Sequence, residues 1–216
     1  MTTRPANPAA QGLLGWMQSH PARIRDLLDE EARGADDLSP AGDPAVRAHL
    51  RLVAEALAAN ASPASADALA AFAEGLPALL AEREDRVDDE MRNVGEAHAF
   101  EAAKQFGAAA GEDPSMRAVL DRRVRVGAWT RVFLEALDEA RDPAPLAAGA
   151  VLEWMGDRQA QLADTIFAMD RAAKRREIDR GGPDAVASSE AANRIGQAAM
   201  LQAHTRFLVE GLAAGL

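Results

Sequence analysis

The sequence predicts an all-α protein, an up-down-up-down four-helix bundle of long helices with an N-terminal extension of short helices. Alanine and leucine dominate the composition, whereas aromatic residues make up only 4% and tyrosine is absent, a composition that favours helices over strands. Apolar residues recur at steps of three and four, and no segment alternates with period two for long. Short breaks rich in Pro, Gly, Asp and Ser separate these periodic segments.

The N-terminal part contains the short helices. Asp43-Pro44 is typical of a helix start, with a capping side chain followed by proline at the first helical position. The segment "NASPAS" at 60–65 has loop composition and marks a boundary. We therefore expect an N-terminal helical extension over 1–60 and the four-helix bundle over 61–216, together forming one continuous domain. The short helices are expected near 9–19, 21–33, 44–59 and 66–76.

Four long helices follow, and each carries one apolar stripe. In the third, for example, Val151, Met155, Leu162 and Ile166 follow steps that keep side chains on one helix face. Short connections between long helices make sequential neighbours antiparallel. The long helices are expected near 77–109, 114–141, 145–180 and 188–215.

Composition and charge exclude several function classes. The chain has 216 residues, a net charge of −10 and no cysteine, so disulfides, iron–sulfur clusters and cysteine-based zinc sites are excluded. Acidic surfaces disfavour nucleic acid and anionic lipid, and no stretch approaches the roughly 20 apolar residues that span a bilayer. With no signal peptide and no phosphate-loop, dinucleotide or hydrolase motif, we expect a soluble, cytoplasmic, acidic protein without catalytic residues, cofactor or metal.

Charged residues are predicted to collect at two ends of the bundle. Antiparallel pairing would place the arginines of 117–125 beside the basic run 171–180, and the acidic run 82–90 beside the carboxylates of 135–142. A solvated surface with ion pairs four residues apart explains such runs without any function. The functional interpretation makes each pole a docking surface for a protein partner or for self-association as a homodimer.

A polar layer is predicted in the middle of the bundle. "NVGEAHAFEAAKQFG" (93–107) places His98 in the apolar stripe of the first long helix, with Glu101 on its flank. Arg123 and His204 also have mainly apolar neighbours on their helices. Folding the helices back at their loops brings His98, Glu101, Arg123 and His204 to one height, with Thr165 nearby.

Four interpretations of this layer are open. The simplest is a buried polar network with Glu101 paired to Arg123, because a buried charge needs a partner. A metal centre would use the histidines and the glutamate, but the adjacent guanidinium opposes a dication. A phosphoacceptor histidine would have to face solvent. The lysine and glycine that usually follow such a histidine are replaced here by Glu101 and Ala102. In the fourth interpretation Arg123 holds the carboxylate or phosphate of a small ligand.

One further motif is weak. "DRVDD" (85–89) has the aspartate spacing that binds magnesium diphosphate in helical prenyl-transfer enzymes, but no second aspartate motif accompanies it. The sequence therefore favours a non-enzymatic helical interaction module, an adaptor, regulator or assembly factor acting through its bipolar charged surface. The alternative is a ligand- or metal-binding helical bundle, with or without enzymatic activity, that uses the polar layer.

Overall fold

The computed structural model describes residues 8–34, 44–89, 91–92, 114–140 and 148–215. Within these ranges every regular element is helical and no residue lies in a strand, so the all-α class is confirmed. The up-down-up-down arrangement of four long helices stays a prediction. The helices are α1 (Pro8–Ser19), α2 (Pro21–Gly34), α3 (Pro44–Ala59), α4 (Ala66–Glu82), α5 (described over 84–89 and 91–92), α6 (Pro114–Ala140), α7 (Ala148–Gly156), α8 (Gln159–Gly181) and α9 (Ser189–Gly215), with a 3₁₀ helix at Pro183–Val186.

Several predicted helix starts agree with the structure because proline fixes them locally. Pro44 and Pro114 each occupy the first position of a helix, where the missing N–H removes no intrahelical hydrogen bond. Pro77 was expected to start a helix in the same way, and this expectation is wrong. Helix α4 runs through Pro77, since Leu76 and Leu80 are both fully buried on one face and their packing maintains the helix across the proline. The chain instead turns at Arg83.

The single long helix expected over 145–180 is also wrong, because a turn at 157–158 separates α7 from α8. The Arg158 guanidinium lies 4.3 Å from the centre of the Trp154 ring, and its Nη1 donates to the Trp154 carbonyl at 3.0 Å. Helix α8 then begins with the Leu162 N–H donating to the Arg158 carbonyl. Arg158 therefore holds the end of α7 and accepts the first hydrogen bond of α8.

The described residues form two compact units, divided after Gly15 and after Ala148. The central unit comprises the described residues of 16–148, and the terminal unit comprises those of 1–15 and 149–216. The division into an extension over 1–60 and a bundle over 61–216 stays a prediction.

The core of the central unit lies around α3 and α6. Helix α3 packs against α2, α4 and α6. Trp129 and Phe133 of α6 are fully buried, and Phe133 meets Phe72 of α4 edge to face at 5.7 Å between ring centres, a favourable geometry for aromatic pairs. A second apolar cluster joins α2 to α3 through the buried residues Leu27, Ala48 and Leu52.

Helices α8 and α9 form a hairpin in the terminal unit. Gly182 has φ +76°, a left-handed conformation that glycine adopts without steric cost, and its N–H donates to the Ile178 carbonyl at 2.8 Å. This glycine ends α8, and the following 3₁₀ helix contacts both α8 and α9. Helix α7 approaches α9 closely at Gly211, where an added Cβ would lie 3.1 Å from atoms of Trp154 and Val151.

Among the described residues, none of the helices combines the length and the apolar character that a bilayer crossing requires.

Candidate functional site

The predicted polar layer is described only in part. His98 and Glu101 lie outside the described residues, and Arg123 is described as part of helix α6 but without its side chain. His204 lies on α9 and is buried, with 9% of its surface exposed. Its helix-face neighbours Met200, Leu201, Phe207 and Leu208 are buried as well, which agrees with the apolar surroundings expected from the sequence. The layer itself stays a prediction.

Two residues expected near this layer have local roles. The Thr165 hydroxyl donates to the Gln161 carbonyl of its own helix at 2.8 Å, a common arrangement for threonine within helices. Asp164 is exposed, as its position away from the apolar stripe indicated.

The other two histidines make local contacts in the central unit. The His20 ring stacks on Trp16 with 4.3 Å between ring centres, and its Nδ1 hydrogen-bonds the Trp16 carbonyl at 2.8 Å. Nδ1 of His49 hydrogen-bonds the Ala45 carbonyl at 2.7 Å. Each of these contacts is local, since its partner lies four residues before the histidine in the chain. Within the described part of the chain, no group of three His, Asp or Glu side chains is arranged to hold a metal ion.

A network of ion pairs joins α2 to α3. Glu31 lies between Arg47 at 2.9 Å and Arg51 at 2.7 Å, and all three side chains are nearly buried, at 10–13% exposure. Arg51 also reaches Glu30 at 2.7 Å. Arg23 extends the network to Glu30 at 3.1 Å and to Glu55 at 2.7 Å. Three arginines therefore face three glutamates, and the network has no net charge left for a ligand.

The ion pairs also shift two pKa values in this network. The hydrogen bond from Arg51, aided by Arg23, lowers the pKa of Glu30 below its usual 4.5 against the opposing effect of burial. The hydrogen bonds and charges of Glu55 and Glu30 raise the pKa of Arg23. Both shifts favour the charged forms, as expected of side chains that hold two helices together.

Within the predicted acidic pole, ion pairs connect the start of α5 to the end of α6. Arg83 reaches Glu139 at 2.6 Å, and Arg86, one turn later, reaches Glu135, one turn earlier on α6. The opposite order of the partners shows that the start of α5 runs antiparallel to the end of α6. The basic residues within the acidic run 82–90 therefore neutralise part of that pole.

The side of α8 that faces away from α9 carries a different pattern. Helix α8 packs on α9 through a stripe formed by Leu162, which is buried, and by Ile166, Met169 and Ala173, which are half-buried. At 100° per residue, Phe167 lies about 140° around the helix from Leu162. Phe167 is 62% exposed, so this aromatic ring has solvent where a core residue would have neighbours.

Three more side chains continue this exposed stripe. Arg171, Arg175 and Ile178 follow Phe167 at four, eight and eleven residues, positions that fall on one helix face within about 80°. Phe167 and Ile178 lie about 16 Å apart along the helix axis. Phe167 is 62% exposed and Ile178 is 37% exposed, and no other large apolar side chain among the described residues is as open to solvent. We call Phe167, Arg171, Arg175 and Ile178 the outward face of α8.

The two arginines of this face are exposed. The Arg171 guanidinium lies 5.5 Å from the centre of the Phe167 ring, within the distance at which a cation interacts with the face of an aromatic ring. Neither Arg171 nor Arg175 has an ion pair within the described ranges, whereas Lys174, about 20° around the helix from Phe167, is paired with Asp170 at 2.8 Å. The outward face therefore combines two exposed apolar ends with two cations between them.

The sequence contained part of this signal. Phe167 lies off the apolar stripe that the sequence predicts for its helix, and Arg171 and Arg175 belong to the predicted basic pole. Ile178 was missed, because no single turn of helix connects it to Phe167. The eleven-residue spacing, which equals three helical turns, would have placed both on one face.

Comparisons of the chain with protein-family models, with curated proteins and with solved structures found no match.

Proposed function

We propose that this protein is a non-enzymatic helical interaction module and that the outward face of α8 is its principal contact surface for a protein partner. The observation that supports this proposal is the coincidence of Phe167 and Ile178 on one face. Exposed apolar residues scattered singly are ordinary on soluble proteins. Two of them on one stripe with arginines between are less ordinary, because aromatic residues and arginine are enriched at protein interfaces.

The alternative function, a ligand or metal held by the polar layer, depends on His98 and Glu101, which the structure does not describe. The proposal of an interaction module depends on described side chains alone. The other charged clusters of the described chain support this choice, because the α2–α3 network and the contacts of Arg83 and Arg86 pair opposite charges internally. On the outward face, Arg171 and Arg175 have no such pair among the described residues and lie between two exposed apolar side chains.

The test measures the size of the complex that the protein forms in its native cells. The triple variant Phe167→Ala/Arg171→Gln/Arg175→Gln removes the outward face, and Arg176→Gln/Arg194→Gln removes two exposed arginines elsewhere on the same hairpin. Size-exclusion chromatography of gently lysed cells follows each form at native expression level. We expect wild type and the Arg176/Arg194 control to elute in a complex that the triple variant no longer enters.

Thermal unfolding of the purified variants accompanies this experiment. The triple variant is expected to unfold at the wild-type temperature, since all three substituted side chains are exposed. A triple variant that folds normally and still elutes with the complex would contradict the proposal.

A further inference from the structure

We infer that the partner segment that docks on the outward face of α8 is an acidic amphipathic helix, with carboxylates placed between two apolar residues three turns apart. This inference rests on the proposed function, because it names the partner chemistry of the same surface. It follows from the order of the side chains on the face, apolar at both ends and cationic between. A complementary segment has the reverse charge in the middle and matching apolar ends.

The spacing of the face favours a helical partner. Phe167 and Ile178 lie about 16 Å apart, and the arginines follow Phe167 after one and two turns. A partner helix repeats its own side chains every three or four residues, so carboxylates on two successive turns can meet Arg171 and Arg175 together. Leucine-like residues one turn before and one turn after these carboxylates would then cover Phe167 and Ile178.

The position of Arg171 over Phe167 favours its pairing with a carboxylate of the partner. An arginine held over an aromatic ring has already lost part of its conformational freedom, so pairing it with a carboxylate costs less entropy than ordering a free side chain. Arg171 is in this position over Phe167. Burial of Phe167 by the partner would also exclude water from the Arg171–carboxylate pair and so strengthen it.

A second copy of the same face is a poor occupant. A two-fold axis through the middle of the outward face would bring Arg171 and Arg175 of one protomer against the same two residues of its partner. Four guanidinium groups would then meet at the centre of the interface, and like charges across an interface oppose association. Asp170 and Glu177 lie within the segment between the apolar ends but are already paired with Lys174 and Arg180. Asp164, one turn before Phe167, lies outside the segment, so no free carboxylate among these residues neutralises that centre.

Membranes and nucleic acid fit the face less well. An interfacial helix needs a continuous apolar face, whereas here only two large apolar side chains are separated by charged turns. Single-strand binders stack successive bases on several aromatic rings, and Phe167 is the single aromatic ring on α8. The acidic balance of the chain, −10 overall, also opposes both anionic polymers and anionic bilayers.

The experiment uses the full-length chain and a synthetic helical peptide with two leucines three turns apart and glutamates on the turns between. Fluorescence anisotropy of the labelled peptide measures its affinity at low and at physiological salt. We expect saturable binding that weakens as salt rises, a loss of about tenfold or more for Arg171→Glu/Arg175→Glu, and a comparable loss for Phe167→Ala. The matched control, Arg176→Glu/Arg194→Glu, makes the same change in net charge on other faces and should bind as wild type does.

Exchanging the charges of the peptide and of the outward face tests whether binding depends on the pairing of opposite charges. A second peptide with lysines in place of the glutamates should bind Arg171→Glu/Arg175→Glu better than it binds wild type. Equal losses in the outward-face variant and in the Arg176/Arg194 control would overturn the inference, because binding would then depend on net charge alone. Circular dichroism of each variant checks that the helices remain.

Three further outcomes would also overturn the inference. These are tighter binding to vesicles containing phosphatidylglycerol, tighter binding to a single-stranded oligonucleotide, and a wild-type dimer that dissociates on Arg171→Glu/Arg175→Glu substitution. Failure of the peptide to bind, together with loss of the native complex in the outward-face triple variant, would refute the acidic partner and leave the proposed function standing. Retention of that complex in the triple variant would refute the proposed function itself.

Discussion

Phe133 and Phe167 are the same residue type in opposite environments. Phe133 is fully buried on α6 against Phe72, whereas Phe167 is 62% exposed on α8. Burial of a phenylalanine stabilises a fold through the apolar area removed from water and through close packing. An exposed ring gives the isolated protein little of this stabilisation, so the two positions should respond very differently to the same substitution.

Phe133→Ala should lower the free energy of unfolding by about 3–5 kcal/mol, since it leaves a cavity beside Phe72. Phe167→Ala is the matched control and should change it by less than about 0.5 kcal/mol. Urea denaturation followed by circular dichroism measures both values. Similar losses at the two positions would show that Phe167 is part of the folded core.

Glycine positions also separate into two classes. Glycines within long helices are expected to allow close helix contact, but among the described residues nothing lies within 4 Å of a Cβ added at Gly127, Gly149 or Gly156. Gly196 agrees better with that expectation, because an added Cβ would lie 3.5 Å from Asp170 Oδ1. The tightest approach is at Gly211, which the sequence did not single out.

Gly127→Ala should raise the free energy of unfolding by up to about 1 kcal/mol, because alanine favours the helix and meets no neighbour. Gly211→Ala should lower it, because the new methyl group would lie 3.1 Å from both Trp154 and Val151 and overpacking outweighs the gain in helix propensity. Thermal unfolding of the two variants in parallel measures the difference. A Gly211→Ala variant more stable than wild type would show that α7 moves away from α9 at little cost.

At the scale of elements, the pairing of α2 with α3 combines an apolar cluster with the arginine–glutamate network. Glu31 is the most enclosed carboxylate of that network, between Arg47 and Arg51. Nearly buried ion pairs contribute little net stability, but loss of one member leaves an uncompensated charge. Removal of Glu31 alone would therefore destabilise the pairing of α2 with α3 by more than the intact network stabilises it.

The network makes the stability of the fold depend on pH in a defined direction. The pKa of Glu30 is lowered in the folded protein from 4.5, so the folded state binds a proton at Glu30 less readily than the unfolded state does. Its contribution is complete above pH 4.5 and is lost as pH falls below 4.5 through the lowered value. Glu30→Gln should therefore flatten the decline in unfolding free energy below pH 4.5.

Glu74→Gln on α4 is the control for this measurement. Glu74 is exposed, and no ion pair to it is found among the described residues. The control variant should keep the wild-type decline when unfolding is measured by urea denaturation at several pH values. A Glu30→Gln curve that follows the control would mean that Arg51 and Arg23 do not hold the Glu30 carboxylate in solution.

Helix ends show what the sequence could predict at this scale. The starts of α3 and α6 were predictable because Pro44 and Pro114 act locally on backbone geometry. The continuation of α4 through Pro77 was not, because it depends on the tertiary packing of Leu76 and Leu80. The turn before α8 likewise depends on how Arg158 contacts Trp154, which periodicity alone does not reveal.

At the scale of the whole molecule, the all-α class was predictable because composition and period act along the entire chain. Of the outward face of α8, only the basic residues could be predicted from the sequence. Trp129 and Phe167 both lie off the main apolar stripes in the sequence, yet the structure buries Trp129 completely and exposes Phe167. Only tertiary packing distinguishes two such residues. The shared height of His98, Glu101, Arg123 and His204 stays a prediction, because His98 and Glu101 lie outside the described residues.

The distribution of charge connects the molecule to its proposed function. The chain carries a net charge of −10, while the outward face of α8 presents Arg171 and Arg175. A local positive surface on an acidic protein selects among acidic partners, because only segments that fit the face escape repulsion from the remainder of the molecule. Binding through this face should therefore be both sensitive to salt and restricted to one side of one helix.

The most direct test of the central claim uses the four isoleucines of the chain, Ile24, Ile166, Ile178 and Ile195. Ile178 lies on the outward face, Ile166 and Ile195 lie on the α8–α9 hairpin away from that face, and Ile24 lies in the central unit. A ¹³C-methyl NMR titration of the isoleucine-labelled protein with the glutamate peptide gives one signal for each. The account predicts a large, saturable shift of the Ile178 signal with Ile24 unchanged, and an unmoved Ile178 signal at saturating peptide would contradict it.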